Sequence, residues 1–321
     1  MFAKISGTGS YLPTKVLKNN DIAKMVDTSD EWITQRVGIK QRHIASDKES
    51  TAQMAINAAK NAIDMAKVNV NEIDLIVVAT GTADYIMPST ASIVQMQIKA
   101  PFCPAFDISA ACSGFVYAVD IAKQYLENGN AKNALVIASE RMSRTLNWED
   151  RSSCVVFGDG AGAVVLTQSE IPGIVASTLY CDGKGKDILN IPGLLSKKPF
   201  ERVQHEAHLY MEGNKVFKKA IETLSDLVSD LLKKANMTES DIDWLVPHQA
   251  NYRILEATAK KLNMPMSQMI VTLENHGNTS AASIPLALDH AVRNGLIKPG
   301  QTILTEAFGA GLVWGGFIAK F

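Results

Sequence analysis

The sequence has only four cysteines in 321 residues, Cys103, Cys112, Cys154 and Cys181, and no CxxC pair. A disulfide framework and a CxxC zinc or redox motif are therefore excluded, and reduced thiols in a cytoplasmic setting are expected. Charge of one sign is missing too: 32 Lys and Arg stand against 33 Asp and Glu, a formal net charge of −1. That balance gives no global electrostatic footprint, so neither nucleic acid nor a membrane surface is an expected partner. No apolar run approaches the roughly 18 residues that a membrane span needs. The opening MFAKISGTGSYLP lacks the charged and apolar regions of a signal peptide. His43, His205, His208 and His290 show no metal-ligand spacing, and no metal is expected.

What is present is enough apolar material for a large core, 46% hydrophobic against 20% charged residues. The length suggests two compact units. Apolar runs of strand length alternate with helical patterns, as in EIDLIVVATG, STASIVQMQIKA, CPAFDIS, GFVYAVDIAKQYLENG and NALVIASE, which predicts an α/β protein. Ile73-Asp-Leu-Ile-Val77 is echoed 169 positions later by Ile242-Asp-Trp-Leu-Val246. The same offset carries Ala134–Ala138 onto Ile303–Ala307, and Cys112 onto Ala281. Two duplicated halves are expected, residues 1–170 and 171–321, with the boundary after Phe157–Leu166 and near Pro172-Gly173. The stretch from Asp182 to Asn214, rich in glycine, proline and lysine, reads as a long functional or mobile connection.

Cys112 lies in DISAACSGF, between an apolar strand and an amphipathic helix. A thiol at a helix N-terminus meets exposed amide N–H groups and the positive dipole end, which favour the nucleophilic thiolate. His248 in VPHQANYR follows a strand and precedes a helix, where α/β proteins keep their sites. Asn278 in ENHGNTSAASIP occupies another loop entering a helix, and its amide could donate to an oxyanion; His276 is the competing imidazole. Taken singly, each has a plainer reading: a packed cysteine, a surface histidine, a capping loop. Phe157-Gly-Asp-Gly-Ala-Gly162 precedes a strand, not a helix, and reads as a turn with close packing. Thr28-Ser-Asp-Glu31 reads as a capping box for a short helix ending at Gly38, with Trp32 and Arg36 on one face.

Together DISAACSGF, PHQANYR, HGNTSAAS and EAFGAGLVWGG resemble the beta-ketoacyl-acyl-carrier-protein synthase III family, over nearly the whole chain from Thr8 to Phe321. The resemblance implies a thiolase-like, five-layered αβαβα sandwich, a homodimer, and initiation of type II fatty acid synthesis. Elongating synthases use Cys-His-His, thiolases Cys-His-Cys and hydroxymethylglutaryl-CoA synthases a glutamate. Chalcone-synthase-like enzymes share Cys-His-Asn and are set apart by the surrounding motifs.

By this resemblance Cys112 takes the acyl group of an acyl-CoA, and malonyl-acyl carrier protein then decarboxylates beside His248 and Asn278 and condenses with it. The backbone N–H groups of Cys112 and Ala310 form an oxyanion hole. Relatives commonly have glycine at the latter position, so alanine serves there if its φ is negative or αL is tolerated. Phe308 flanks the malonyl carboxylate, and Met87 ends the acyl pocket across the dimer. Trp32 and Arg151 enclose the CoA adenine, with Thr28, Arg36, Asn214 and Asn251 nearby. Arg253, Lys218, Lys260 and Lys261 are expected to meet the acidic carrier protein. CoA thioester is substrate, and no resident cofactor is implied. Three alternatives stay open: a branched- or aryl-starter synthase of secondary metabolism, a Cys-His-Asn thioester hydrolase, and a non-catalytic acyl- or CoA-binding protein.

Overall fold

The computed structural model describes residues 1–193 and 208–321. His205 and the middle of the 182–214 stretch lie outside the described residues. The strand Leu75–Ala79 is buried along its whole length, as expected where helices cover both faces of a sheet. It sits in a five-stranded sheet ordered Phe2–Tyr11, Asp159–Ser169, Asn133–Arg141, Leu75–Ala79 and Ala105–Ile108. A four-stranded sheet is ordered Trp244–Pro247, Thr302–Gly309, Val313–Lys320 and Ile174–Cys181.

The two sheets share a scheme. Leu75–Ala79 runs parallel to Asn133–Arg141, which pairs antiparallel with Asp159–Ser169, and that strand pairs antiparallel with Phe2–Tyr11. Trp244–Pro247, Thr302–Gly309, Val313–Lys320 and Ile174–Cys181 repeat this sequence of parallel, antiparallel and antiparallel pairings. The register repeats as well: Leu75 faces Ala134 and Trp244 faces Ile303, so both partners shift by the 169 positions seen in the sequence.

Because strand side chains alternate between faces, each sheet contributes to two apolar layers. Leu75, Val77, Ala79, Val136 and Leu166 turn inward, where they meet the helices Gly114–Glu127 and Ser283–Arg293 together with Val246, Ile303 and Phe317 of the other sheet. Ile76, Val78, Leu135 and Val165 turn outward onto the helices Thr51–Ala66 and Thr90–Ile98. On the far side Leu245, Leu304 and Ile318 pack against Gly213–Ala235 and Tyr252–Lys261. The result is the αβαβα order. The FGDGAG glycines pack closely: a Cβ on Gly162 would stand 2.7 Å from the Pro285 side chain, and one on Gly158 2.7 Å from the His276 carbonyl.

Phe115, fully buried, lies with its ring centroid 6.4 Å from that of Phe317 and joins the central helix layer to the second sheet. Phe115→Ala is expected to cost about 3–5 kcal/mol of stability, read as a lower denaturation midpoint in urea. An unchanged midpoint would show that the layer does not hold the sheets together.

Candidate active site

Cys112 sits in a 3-10 turn, Ala111–Ser113, that runs directly into the helix Gly114–Glu127. A second 3-10 turn, Ser280–Ala282, runs into Ser283–Arg293 in the same way, 169 positions on. Each turn begins with a non-glycine residue in left-handed backbone, Ala111 at φ 44° and Ser280 at φ 52°; such residues persist only where the surroundings enforce them. The turns meet across small residues. A Cβ on Gly114 would lie 3.0 Å from the Ala79 Cβ and 3.3 Å from the Ala281 Cβ, and one on Gly309 only 2.7 Å from the Cys112 backbone nitrogen.

His248 is buried and follows the Trp244–Pro247 strand. Its Nδ1 lies 2.6 Å from Ser283 Oγ, which also accepts the Gln249 N–H at 3.2 Å. Burial pushes His248 down to about 3, so the ring is neutral. A serine hydrogen donated to Nδ1 leaves the proton of a neutral ring on Nε2. Gln249 fixes the loop itself: its Nε2 donates to the Pro247 and Ile270 carbonyls, and its Oε1 accepts from the Thr272 and Leu273 N–H groups. Asn278 is also buried, and its Oδ1 accepts the Ser280 N–H at 2.8 Å, which leaves the amide NH2 as its free donor.

Cys112, His248, Asn278, Phe308 and Ala310 line one cavity of about 530 Å³. Trp32, Arg36, Arg151, Asn214, Asn251 and Arg253 line the same space. The Arg151 guanidinium lies 4.8 Å from the centroid of the Trp32 ring, and its Nη1 donates to the Asp27 carbonyl at 2.7 Å. Asn251 caps the helix that bears Arg253, and the Arg253 guanidinium sits 5.8 Å from the Phe217 ring centroid. Ala310 is not among the residues with positive φ, so its N–H needs no left-handed backbone.

Five expected contacts lie elsewhere. Thr28 does not line the cavity; Ser29, one residue later, caps the helix by accepting the Trp32 N–H, and the Thr28 hydroxyl is buried without a partner. The cap is thus displaced by one position from the expected one, and it is a single N-cap bond in place of a capping box. Met87 is 80% exposed, outside the cavity of this chain. Lys218, Lys260 and Lys261 are exposed and do not line it, and Lys261 donates to the Ile221 carbonyl at 3.3 Å. His276, the competing imidazole, is not in the cavity lining and packs between His43 and His290.

Two family models match the chain, 3-oxoacyl-[acyl-carrier-protein] synthase III over residues 106–183 and the C-terminal model of the same enzyme over residues 232–321. Beta-ketoacyl-[acyl-carrier-protein] synthase III 1 of Vibrio parahaemolyticus is 53% identical over the full length of both chains. The corresponding synthase III of Aliivibrio fischeri is 55% identical, again with 100% of each chain covered. The chain belongs to the beta-ketoacyl-acyl-carrier-protein synthase III family. The crystal structure of the synthase III from Aquifex aeolicus superimposes with a TM-score of 0.93 at 46% identity, covering 99% of this chain and 100% of that one.

Within this synthase III frame, sequence reasoning passed over Glu140, Ser280, Ser283 and Glu306. Ser280 and Ser283 lie inside HGNTSAAS, where serine had an adequate explanation as a helix cap. The carboxylates carried a signal, since Glu140 ends the apolar run NALVIASE and Glu306 interrupts the buried strand TILTEAFG, and a buried acid needs a reason. Both line the cavity. Burial pushes Glu140 up to about 7 and Glu306 up to about 8. Burial also pushes the Cys112 thiol up to about 11, against the lowering hydrogen bond to Ser280. Desolvation thus works against the thiolate that the helix end was expected to favour.

Glu306 holds a proton in the folded chain between its ordinary value of 4.5 and about 8, where the unfolded chain has lost it. The native state then binds more protons, and stability falls as pH rises through that window. Glu306→Gln should flatten this decline, read as melting temperatures measured from about pH 5 to 8; an unchanged slope would show that the carboxyl is already ionised.

Proposed function

We propose that the chain catalyses the priming condensation of type II fatty acid synthesis. An acyl-CoA, with acetyl-CoA as the expected starter, acylates Cys112 and releases CoA. Malonyl-acyl carrier protein then loses carbon dioxide, and its enolate attacks the acyl-cysteine to give 3-ketoacyl-acyl carrier protein. The observation that carries this reading is the donor pair. A buried neutral imidazole whose Nδ1 is engaged by Ser283, and an amide NH2 freed by the Ser280 N–H, line the cavity that holds the cysteine. Preorganised neutral donors stabilise an enolate as its charge develops, and they lose no strength to water. A thioester hydrolase has no use for a second donor pair, and membership of the synthase III family favours condensation.

The backbone N–H groups of Cys112 and Ala310 serve as the oxyanion hole for acyl transfer, supported by the close approach of Gly309 to the Cys112 nitrogen. Phe308 supplies an apolar wall where a carboxylate is lost. The stacked Trp32 and Arg151 mark the adenine position, with Arg36, Asn214 and Asn251 along the rest of CoA. CoA thioester is consumed as substrate, with no resident cofactor. Arg253 at the cavity is the leading carrier-protein contact, and Lys218, Lys260 and Lys261 extend the positive surface beyond it. A homodimer in the cytoplasm is the expected state, supported by the exposed Tyr85, Ile86 and Met87; no helix among the described residues is long and apolar enough to cross a membrane. Halves at 1–170 and 171–321 accord with the repeated sheet order.

Intact-mass measurement after exposure to a panel of acyl-CoAs should show one adduct, on Cys112, and Cys112→Ala should lose both adduct and product. His248→Ala should keep the adduct while condensation drops by about 10²- to 10³-fold. Hydrolysis of acyl-CoA without malonyl-dependent product would reject the synthase reading. Trp32→Ala should raise the KM for acyl-CoA about tenfold, worth roughly 1.4 kcal/mol, with little change in kcat.

A further inference from the structure

Behind Cys112 lies a chain of groups that the condensation as described leaves without a task. Cys112 Sγ donates to Ser280 Oγ at 3.5 Å, and Ser280 Oγ donates to Glu140 Oε1 at 3.3 Å. Glu140 is 0% exposed. Its carboxyl accepts the Gly81 N–H at 3.1 Å and the Thr82 hydroxyl at 2.5 Å, with Thr80 Oγ1 at 3.5 Å. All of those groups are neutral donors. Among the described residues no cation neutralises it: Arg141, next in the strand, pairs with Asp47 at 3.7 Å, and Arg144 reaches Asp84 at 3.4 Å. The other titratable groups lining the cavity near it are Cys112, His248 and Glu306. The neutral imidazole of His248 keeps its Nε2 proton for the enolate, and the Glu306 Oε2 is buried without a partner.

We infer that Ser280 and Glu140 form a proton relay for Cys112, with Ser280 touching the reacting sulfur and Glu140 acting through it as a positioning residue that stores the thiol proton. The inference rests on the acyl transfer proposed above. As the sulfur attacks the acyl-CoA carbonyl, its proton passes to Ser280 Oγ and the serine proton passes to Glu140 Oε1. The carbon–sulfur bond to CoA then breaks, and CoA departs as a thiolate that takes a proton from solvent. In the second half the enolate carbon attacks the acyl-cysteine, the Cys112 sulfur leaves, and the stored proton returns through Ser280. One cycle thus consumes one external proton, that of the released CoA.

A carboxyl that ionises near pH 7, where burial has raised Glu140, places the relay in its accepting form at neutral pH and above. A thiol pushed up to about 11 would otherwise be almost wholly protonated there. General-base assistance of this kind typically contributes about 10²-fold or more.

The test is the rate of Cys112 alkylation by iodoacetamide from about pH 5 to 10. The unmodified chain should show an inflection near pH 7, ahead of the rise from direct thiol ionisation. Glu140→Gln should lose the inflection and react about 10²-fold more slowly at about pH 8, while Glu140→Asp retains it. Ser280→Ala, which keeps the carboxyl but breaks the path, should also lose it. Absence of the inflection in the unmodified chain, an unaltered profile in Glu140→Gln, or its survival in Ser280→Ala would each overturn the relay. Should Glu140→Gln fail to fold, Ser280→Ala decides. Alkylation needs no acyl-CoA, so these outcomes stand apart from the malonyl-dependent condensation that tests the proposed function.

Discussion

Where the turn at Ala111–Ser113 meets the turn at Ser280–Ala282, Gly114 presents no side chain, and the core closes until the Ala281 methyl is 3.3 Å from where a Cβ would be. That approach brings the nucleophile of one sheet's helix within a hydrogen bond of Ser280 on the other's. It is sustained by the apolar layer around it, since both helices are buried between the sheets and contribute Phe115, Val119, Ile284 and Leu288 to one core. The position of Cys112 relative to His248 and Asn278 is thus set by hydrophobic packing on a scale far larger than the site.

The same packing decides the charge state. Besides Arg36, Arg151 and Arg253, the cavity lining holds a thiol, two carboxyls and an imidazole, and burial moves each of these four toward its neutral form: the thiol and the carboxyls upward, the imidazole downward. Neutral groups avoid the desolvation that buried ions incur. The polar contacts that His248 and Asn278 make serve geometry. Ser283 holds the histidine ring by its Nδ1, and Ser280 turns the asparagine amide.

The architecture was legible because it rests on patterns that survive in a single chain. Strands apolar on both faces mark a covered sheet, and the recurrence of Ile-Asp-x-x-Val at a fixed offset anticipated the register of the second sheet down to the residue. Cys112 and His248 stood out because each follows a strand and precedes a helix, and Asn278 because its loop enters one. Ser280 and Ser283 were hidden because a serine at a helix start is already accounted for by capping. Glu140 is five residues beyond Leu135 at the end of a strand that reads as core; its place in that apolar run is a signal, and its full burial shows how unusual an acid is there. The thiol's raised value was illegible for a related reason: a helix dipole can be read from local sequence, whereas desolvation is a sum over neighbours from both halves. The displaced cap at Ser29 is a smaller case, in which two adjacent hydroxyl residues compete for one role.

Applied to single positions, the 169-residue offset pairs Glu140 with Gly309. One carries the buried carboxyl behind Ser280; the other must carry nothing, because a Cβ there would stand 2.7 Å from the Cys112 nitrogen. His248 likewise answers to Ala79, and Cys112 to Ala281. At these paired positions one sheet's side carries the functional group and the other a small residue or none. The asymmetry is enforced sterically: a side chain at Gly309 would displace the nucleophile itself.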